Sequence, residues 1–295
     1  MTADLAASSE QTREYLMKTR LLTAAIALPI IIASIILPVY FAQAIWLFVA
    51  IAGFALAAGL FEFYSLTKKL ELKADAAIGY AGSAALFVGF VFDAPARMPD
   101  ILLLTIALVI AAVLISQMFR FQADFPKMLT GIGVTLAGVF YVAFLGGFLV
   151  AVRVGFDNLP NLSTHLLAYF FLVIFGSDAG AYFAGRAFGK HKLAPGISPG
   201  KTVEGLVGGL VSAAAFAALS TFWFFSALPY RWSIPLAMVL AAVGVLGDLC
   251  ESAMKRGSKT KDAASILPGH GGLLDRLDSL LFGAPILYYF ARFYF

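Results

Sequence analysis

The stretch Ile234-Pro-Leu-Ala-Met-Val-Leu-Ala-Ala-Val-Gly-Val-Leu-Gly-Asp-Leu-Cys-Glu-Ser-Ala-Met-Lys-Arg256 begins as unbroken hydrocarbon and ends with charge on one side. No charged residue appears before Asp248, so the first part suits a helix surrounded by lipid tails. After that point Asp248, Glu251, Ser252 and Lys255 follow the i, i+3, i+4, i+7 pattern that stacks side chains on one helix face. A face of that kind cannot point at hydrocarbon, where an acid costs several kcal/mol, and must turn to a partner or a wet cavity. The stretch therefore predicts a membrane helix with a polar pocket at one end.

The rest of the chain agrees with a membrane setting. Of its 295 residues 61% are hydrophobic and 13% charged, and the mean hydropathy of +0.90 is far from that of soluble domains. A helix needs about 20 apolar residues to cross a bilayer core, and suitable segments run at roughly 21–37, 42–61, 74–92, 100–118, 131–151, 164–185, 204–226, 235–253 and 279–293. Continuous runs, rather than alternating pieces of about ten residues, exclude a β-barrel. The expected fold is all-α, a polytopic integral membrane protein with about nine transmembrane helices. Ala42-Gln-Ala44 has the small residues of a signal-peptidase site, but the apolar run before it exceeds the roughly 7–15 residues of a signal core, and it is read as a retained first span. The single cysteine, Cys250, permits no intramolecular disulfide, and no Cys/His spacing suggests zinc.

Lys and Arg in short loops stay on the cytoplasmic side. With the N-terminus in the cytoplasm, only Arg97, Arg153, Arg231 and Arg292 of the 21 basic residues fall outside. Adding or removing one span would destroy that bias, so the C-terminus is expected outside. Three regions follow: a cytoplasmic or interfacial segment at 1–20, a transmembrane scaffold of five spans at 21–163, and a catalytic transmembrane region of four spans with cytoplasmic loops at 164–295. The scaffold spans carry few polar residues, whereas three polar clusters gather after residue 170.

The first cluster is Asp178, Tyr182 and Arg186, four apart on one helix face and interleaved with Gly176, Gly180 and Gly185. Its plainer reading is a polar seam between helices. The second is Ser198-Pro-Gly-Lys201-Thr202-Val-Glu204-Gly205. Walker A needs four residues between its glycines, and Gly196 to Gly200 leaves three. What remains is an irregular loop whose backbone N–H groups, helix N-terminus and Lys201 ammonium can hold a phosphate, or else a helix start capped by Ser198 or Thr202. The third cluster joins the polar face of 248–255 to Lys259, Lys261, Asp262, His270, Asp275, Arg276 and Asp278 around Pro268-Gly-His-Gly-Gly272. Asp275 and Asp278 share a face where the last apolar segment begins.

Carboxylates from separate helices, in a pocket also rich in Lys and Arg, fit Mg²⁺-bound phosphate chemistry. Mg²⁺ takes one or two carboxylates plus phosphate oxygens and water, and basic groups balance the remaining phosphate charge. No Gly-x-Ser-x-Gly, His-Glu-x-x-His or Cys/His arrangement supports a protein nucleophile. His270 has two readings, an acid or base and a phosphate donor in a turn.

Ser252-Ala-Met-Lys255-Arg256, Lys261-Asp262 and Pro268-Gly-His270-Gly271-Gly272-Leu-Leu-Asp275-Arg276-Leu-Asp278 together resemble the signature of the phosphatidate cytidylyltransferase (CDP-diacylglycerol synthase) family. The second cluster and the Asp178–Arg186 segment are also similar to family patterns, so the likeness covers roughly residues 170–282. It implies that CTP and phosphatidic acid give CDP-diacylglycerol and pyrophosphate, with Mg²⁺, at the cytoplasmic face of the inner membrane. It also implies that Asp248 and Asp275 are metal ligands. Beside that implication, Asp278 or Glu251 is expected to complete the shell, with a second cation left open. Lys201, Lys255, Arg256 and Lys259 are the expected phosphate contacts, with Ser198 and Thr202 beside them and Asp178 and Arg276 in support. His270, Gly271 and Gly272 are expected to close over the nucleotide phosphates. The partners are CTP, phosphatidic acid and membrane lipid, with no nucleic acid and a homodimer left open.

Three other classes compete. A transporter would use Asp178 and Asp248 as ion sites in broken helices, but the one-sided polar cluster and the lack of an inverted repeat speak against it. A CTP-dependent polyprenol kinase would need a base for its alcohol acceptor. A CDP-alcohol phosphotransferase would need an Asp-Gly-x-x-Ala-Arg helix, which this chain lacks.

Overall fold

A computed structural model describes residues 25–92, 99–121, 124–156, 159–258 and 272–295. The chain begins with α1 (Ala25–Val39), whose last turn is 3-10. The scaffold continues with α2 (Ile45–Lys69), α3 (Ala76–Phe92), α4 (Pro99–Phe121), α5 (Phe125–Gly138) and α6 (Leu145–Gly155). Then come α7 (Leu162–Phe188), α8 (Val203–Trp223), α9 (Tyr230–Gly257) and α10 (Leu274–Tyr294). One π turn, Val139–Phe144, joins α5 and α6 into a single apolar rod.

A helix stands at each expected apolar segment, but among the described residues only 6 are long and apolar enough to cross a membrane on those grounds alone. Helices α1 and α3 are shorter, and α10 opens with the charged Leu274-Asp-Arg-Leu-Asp278. The chain is an integral membrane protein built of helices, as the apolar runs require: with no water in the hydrocarbon, each backbone N–H must be satisfied within its own segment. Its surface agrees, with Phe54, Leu103, Phe222 and Phe293 each at least 65% exposed, a coat suited to lipid rather than water.

One element departs from the all-helical expectation. Lys192–Ala194 and Ser198–Thr202 form a two-stranded antiparallel hairpin between α7 and α8. The second polar cluster is thus a strand rather than an irregular loop, because the backbone of 198–202 pairs with that of 192–194 and Pro195-Gly196 makes the reversal. Thr202 is the helix cap, its hydroxyl accepting from Gly205 N at 3.1 Å.

Packing explains how the polar ends meet. Helix α7 lies most extensively against α8, and α9 against both α8 and α10. Small residues permit the first contact: a methyl added at Gly176 would overlap Phe216, at Gly180 Ser212, and at Gly208 Ala184. The main apolar core is built from α2, α6, α7, α9 and α10, including Leu60, Val152, Leu166, Phe170, Leu240, Leu281 and Tyr288. A smaller core of Leu86, Val109 and Val139 ties α3 and α4 to the π turn. The C-terminal ends of α7 and α9 and the N-terminal ends of α8 and α10 consequently lie together.

Candidate active site

The strand Ser198–Thr202 delivers Lys201 to α9, where its Nζ lies 2.6 Å from Asp248 Oδ2. Ser252, one turn on, reaches Asp248 Oδ1 at 3.3 Å. Another turn along the same face, Lys255 Nζ is 2.7 Å from Glu251 Oε2 and 3.1 Å from Asp275 Oδ1 on α10. The helical phase read from 248–255 therefore holds: a single face of α9 presents Asp248, Glu251, Ser252 and Lys255 to the hairpin on one side and α10 on the other.

The acids sort into two adjoining groups. Asp248 belongs with Asp178 of α7 and Asp278 of α10, whose charges act on one another and on Lys201, with Arg276 acting on Asp178. Asp278 is nearly buried, and its Oδ1 accepts from Ser279 N at 2.6 Å. Asp275 belongs instead with Glu251 and Lys255. Glu251 is 1% exposed, and its second oxygen, Oε1, has no hydrogen-bond partner among the described residues. Helices α9 and α10 approach closely enough to join the two groups because Gly247 faces the Asp278 backbone carbonyl, where a methyl group would collide with it.

A cavity of about 550 Å³ opens beside the first group. Asp178, Tyr182, Arg186, Lys201, Thr202 and Asp248 line it. The i, i+4, i+8 face of α7 thus borders this cavity instead of forming a mere seam, and Arg186 donates to the Tyr182 hydroxyl at 3.1 Å. Arg256, expected as a phosphate contact, donates from Nε to Ile197 O at 3.3 Å and so ties the hairpin turn to the end of α9. Ser198 starts the second strand and does not line the cavity. Lys259, His270 and Gly271 lie outside the described residues; Gly272 precedes α10.

Two residues of the supposed scaffold also belong here. Glu62 on α2 is fully buried and accepts from Leu273 N at 2.8 Å and Leu274 N at 2.7 Å. The Tyr141 hydroxyl, on the π turn, is buried without a hydrogen-bond partner among the described residues, and the charges of Asp278, Glu251 and Asp275 act on it. A lone acid in the middle of Gly59-Leu-Phe-Glu62-Phe-Tyr was a readable signal, since an intramembrane carboxylate needs a partner. Tyr141 had none, because a tyrosine among apolar residues is ordinary in a span.

No group of three or more acidic, His or Cys side chains among the described residues is assembled to hold a metal alone. The donor chemistry nonetheless fits Mg²⁺ shared with a phosphate, which needs only one or two carboxylates from the protein. The unpartnered Glu251 Oε1 and the half-exposed Asp248 carboxylate, 40% accessible, are oxygens of that kind.

Comparison with known proteins adds an independent line. A model of the Cytidylyltransferase family matches residues 18–294. The chain is 38% identical to a phosphatidate cytidylyltransferase of Bacillus subtilis over 68% of its own length and 70% of the relative's. It is 36% identical to one from Brucella suis over 82% of this chain and 84% of the other. A Haemophilus influenzae phosphatidate cytidylyltransferase is 42% identical across 52% of this chain and 54% of its own length.

Proposed function

From membership of the cytidylyltransferase family, to which the match over residues 18–294 assigns the chain, we propose that this nucleotidyltransferase converts CTP and phosphatidic acid to CDP-diacylglycerol and pyrophosphate at the cytoplasmic face of the inner membrane. A phosphate oxygen of phosphatidic acid attacks the α-phosphorus of CTP; the new P–O bond forms as the α–β anhydride breaks, and its electrons leave with pyrophosphate. The attacking oxygen is already ionised, so the step needs no protein base. This agrees with a site rich in ion pairs.

The protein's task is to bring two polyanions together and stabilise charge on the departing group. Lys201 and Lys255 contact phosphate, with Lys259 and the His270-Gly271-Gly272 segment closing over the nucleotide. Arg256 holds the hairpin that carries Lys201, and Asp178 and Arg276 support the pocket electrostatically. Mg²⁺, held by Asp248 and Asp275 with Asp278 or Glu251, would neutralise phosphate charge and polarise the α-phosphorus. The topology that supports this has nine spans, the N-terminus in the cytoplasm and the C-terminus outside, which puts the ends of α7 and α9 and the starts of α8 and α10 where CTP is found. A homodimer is compatible with it.

The observation that carries the reading is the convergence of Lys201–Asp248 and Lys255–Glu251–Asp275 at one end of four packed helices. The test is incubation of purified protein in detergent with phosphatidic acid, Mg²⁺ and CTP labelled in the α- or γ-phosphate, followed by lipid extraction. Label from the α position moving to the organic phase, and its loss on chelation of the metal, is expected. Transfer of the γ label instead would show a kinase, and no transfer of either would overturn the proposal.

A further inference from the structure

Helix α10 starts immediately before Asp275 and Asp278, two of the acids of the site, and its start is not capped locally. Leu273 at its N-cap makes no side-chain cap hydrogen bond. Two of the N–H groups that any helix leaves unsatisfied at this end are instead taken by a residue more than 200 positions away in sequence: the Glu62 carboxylate accepts from Leu273 N at 2.8 Å and Leu274 N at 2.7 Å. The negative charge also sits where the helix macrodipole favours it. The two helices are locked together around this point, because Gly59 of α2 lies against the Leu277 and Leu274 side chains. Gly272 makes room for the carboxylate; a Cβ there would come within 2.8 Å of Glu62 Oε2 and 3.5 Å of Asp275 Oδ1.

Asp275 follows one residue after the second of these amides, and its carboxylate meets Lys255 Nζ at 3.1 Å. The position of the first turn of α10 thus sets where the Asp275 carboxylate meets Lys255. We infer that Glu62 is a positioning residue of the nucleotidyl-transfer site: from α2 it fixes the first turn of α10 so that Asp275 meets Lys255 and Glu251. The inference rests on the proposed function and gives the N-terminal half of the chain a part in catalysis.

The test compares Glu62→Gln and Glu62→Asp with the parent, all full-length and in detergent. Glutamine has one acceptor oxygen and presents N–H groups to the helix amides, so it loses at least one of the two bonds. The kcat of E62Q should fall by about tenfold or more, with KM for CTP within about twofold of the parent and a raised half-saturating Mg²⁺ concentration. Amide exchange of a peptide covering 272–278 should quicken by about tenfold, and E62D, which keeps the carboxylate, should recover part of both. Unchanged kinetics in E62Q beside an active parent would overturn the inference and leave the proposed function standing. So would a loss of folded protein in both variants, or a lower melting temperature with kcat per folded molecule unchanged, which mark a purely structural role. If the parent itself transfers no nucleotide the proposed function fails instead, and the exchange rates still show whether Glu62 holds α10.

Discussion

Replacing Lys201 with alanine separates a phosphate-binding role from a structural one, because the two predict effects of different size on different measurements. In the structure the ammonium sits 2.6 Å from Asp248, with the lysine side chain 21% and the aspartate side chain 40% exposed. A pair so open to water contributes about 0–1 kcal/mol to stability. Removing the lysine also leaves an acid that can rehydrate through the cavity, rather than a sealed charge. The hairpin keeps its other ties, the strand pairing, the Thr202 cap and Arg256 on Ile197 O. The melting temperature should therefore fall by no more than about 4 °C.

The catalytic loss should be far larger. A cation that stabilises charge developing on transferred phosphate is worth about 2.7–4 kcal/mol, or 10²–10³-fold. That loss should appear in kcat/KM for CTP in the labelled-lipid assay, and arginine at 201 should restore only part of it, because a planar fork does not reproduce a compact ammonium. A variant that melts well below the parent while turning over CTP at the parental rate would refute the argument and reduce Lys201 to a clasp between hairpin and α9.

Asp275→Asn keeps the shape but removes the charge that meets Lys255; transfer should fall by about 100-fold or more in the same assay while gel filtration shows an intact, monodisperse protein. Gly247→Ala wedges α9 away from α10: its methyl group meets the Asp278 backbone carbonyl, which cannot swing aside as a side chain could. It should cost about 1–3 kcal/mol, visible as a lowered thermal midpoint in detergent.

Much of the fold was legible because lipid imposes few solutions. Apolar runs must be helices, and a helix stands at each of them, although α2 runs on to Lys69 and α5 starts at Phe125, well beyond the apolar stretches themselves. The hairpin at 192–202 was not legible, since Ser198-Pro-Gly-Lys-Thr202 has neither the alternation nor the β-branched content of a strand. Its pairing comes from the reversal at Pro195-Gly196 and from Arg256, a tertiary contact with no local trace. Legibility of the site divides along the same line. The face of α9 could be read from spacing alone, as a helix repeats every 3.6 residues whatever surrounds it. Which acid of α10 belongs with which residue of α9 depends on helix crossing, and the close approach at Gly247 is what sets it.

That crossing bears on how the two lysines serve the chemistry. Each holds a carboxylate that the proposed mechanism assigns to the cation, Lys201 on Asp248 and Lys255 on Asp275 and Glu251. Both roles can be filled in one event. In the proposed mechanism incoming phosphates would compete for the ammonium groups, and each lysine that turned to phosphate would leave a carboxylate able to hold Mg²⁺. Charge is conserved at each exchange, so neither bare acids nor bare lysines need be exposed to a low-dielectric membrane edge, where either would be costly. A chain with the acids but without the lysines would have to assemble its metal site against mutual repulsion among Asp178, Asp248 and Asp278. On the proposed mechanism the ion pairs would hold the places of substrate and metal, which accounts for Lys255 sharing a helix face with Glu251 and for the hairpin bringing Lys201 to Asp248.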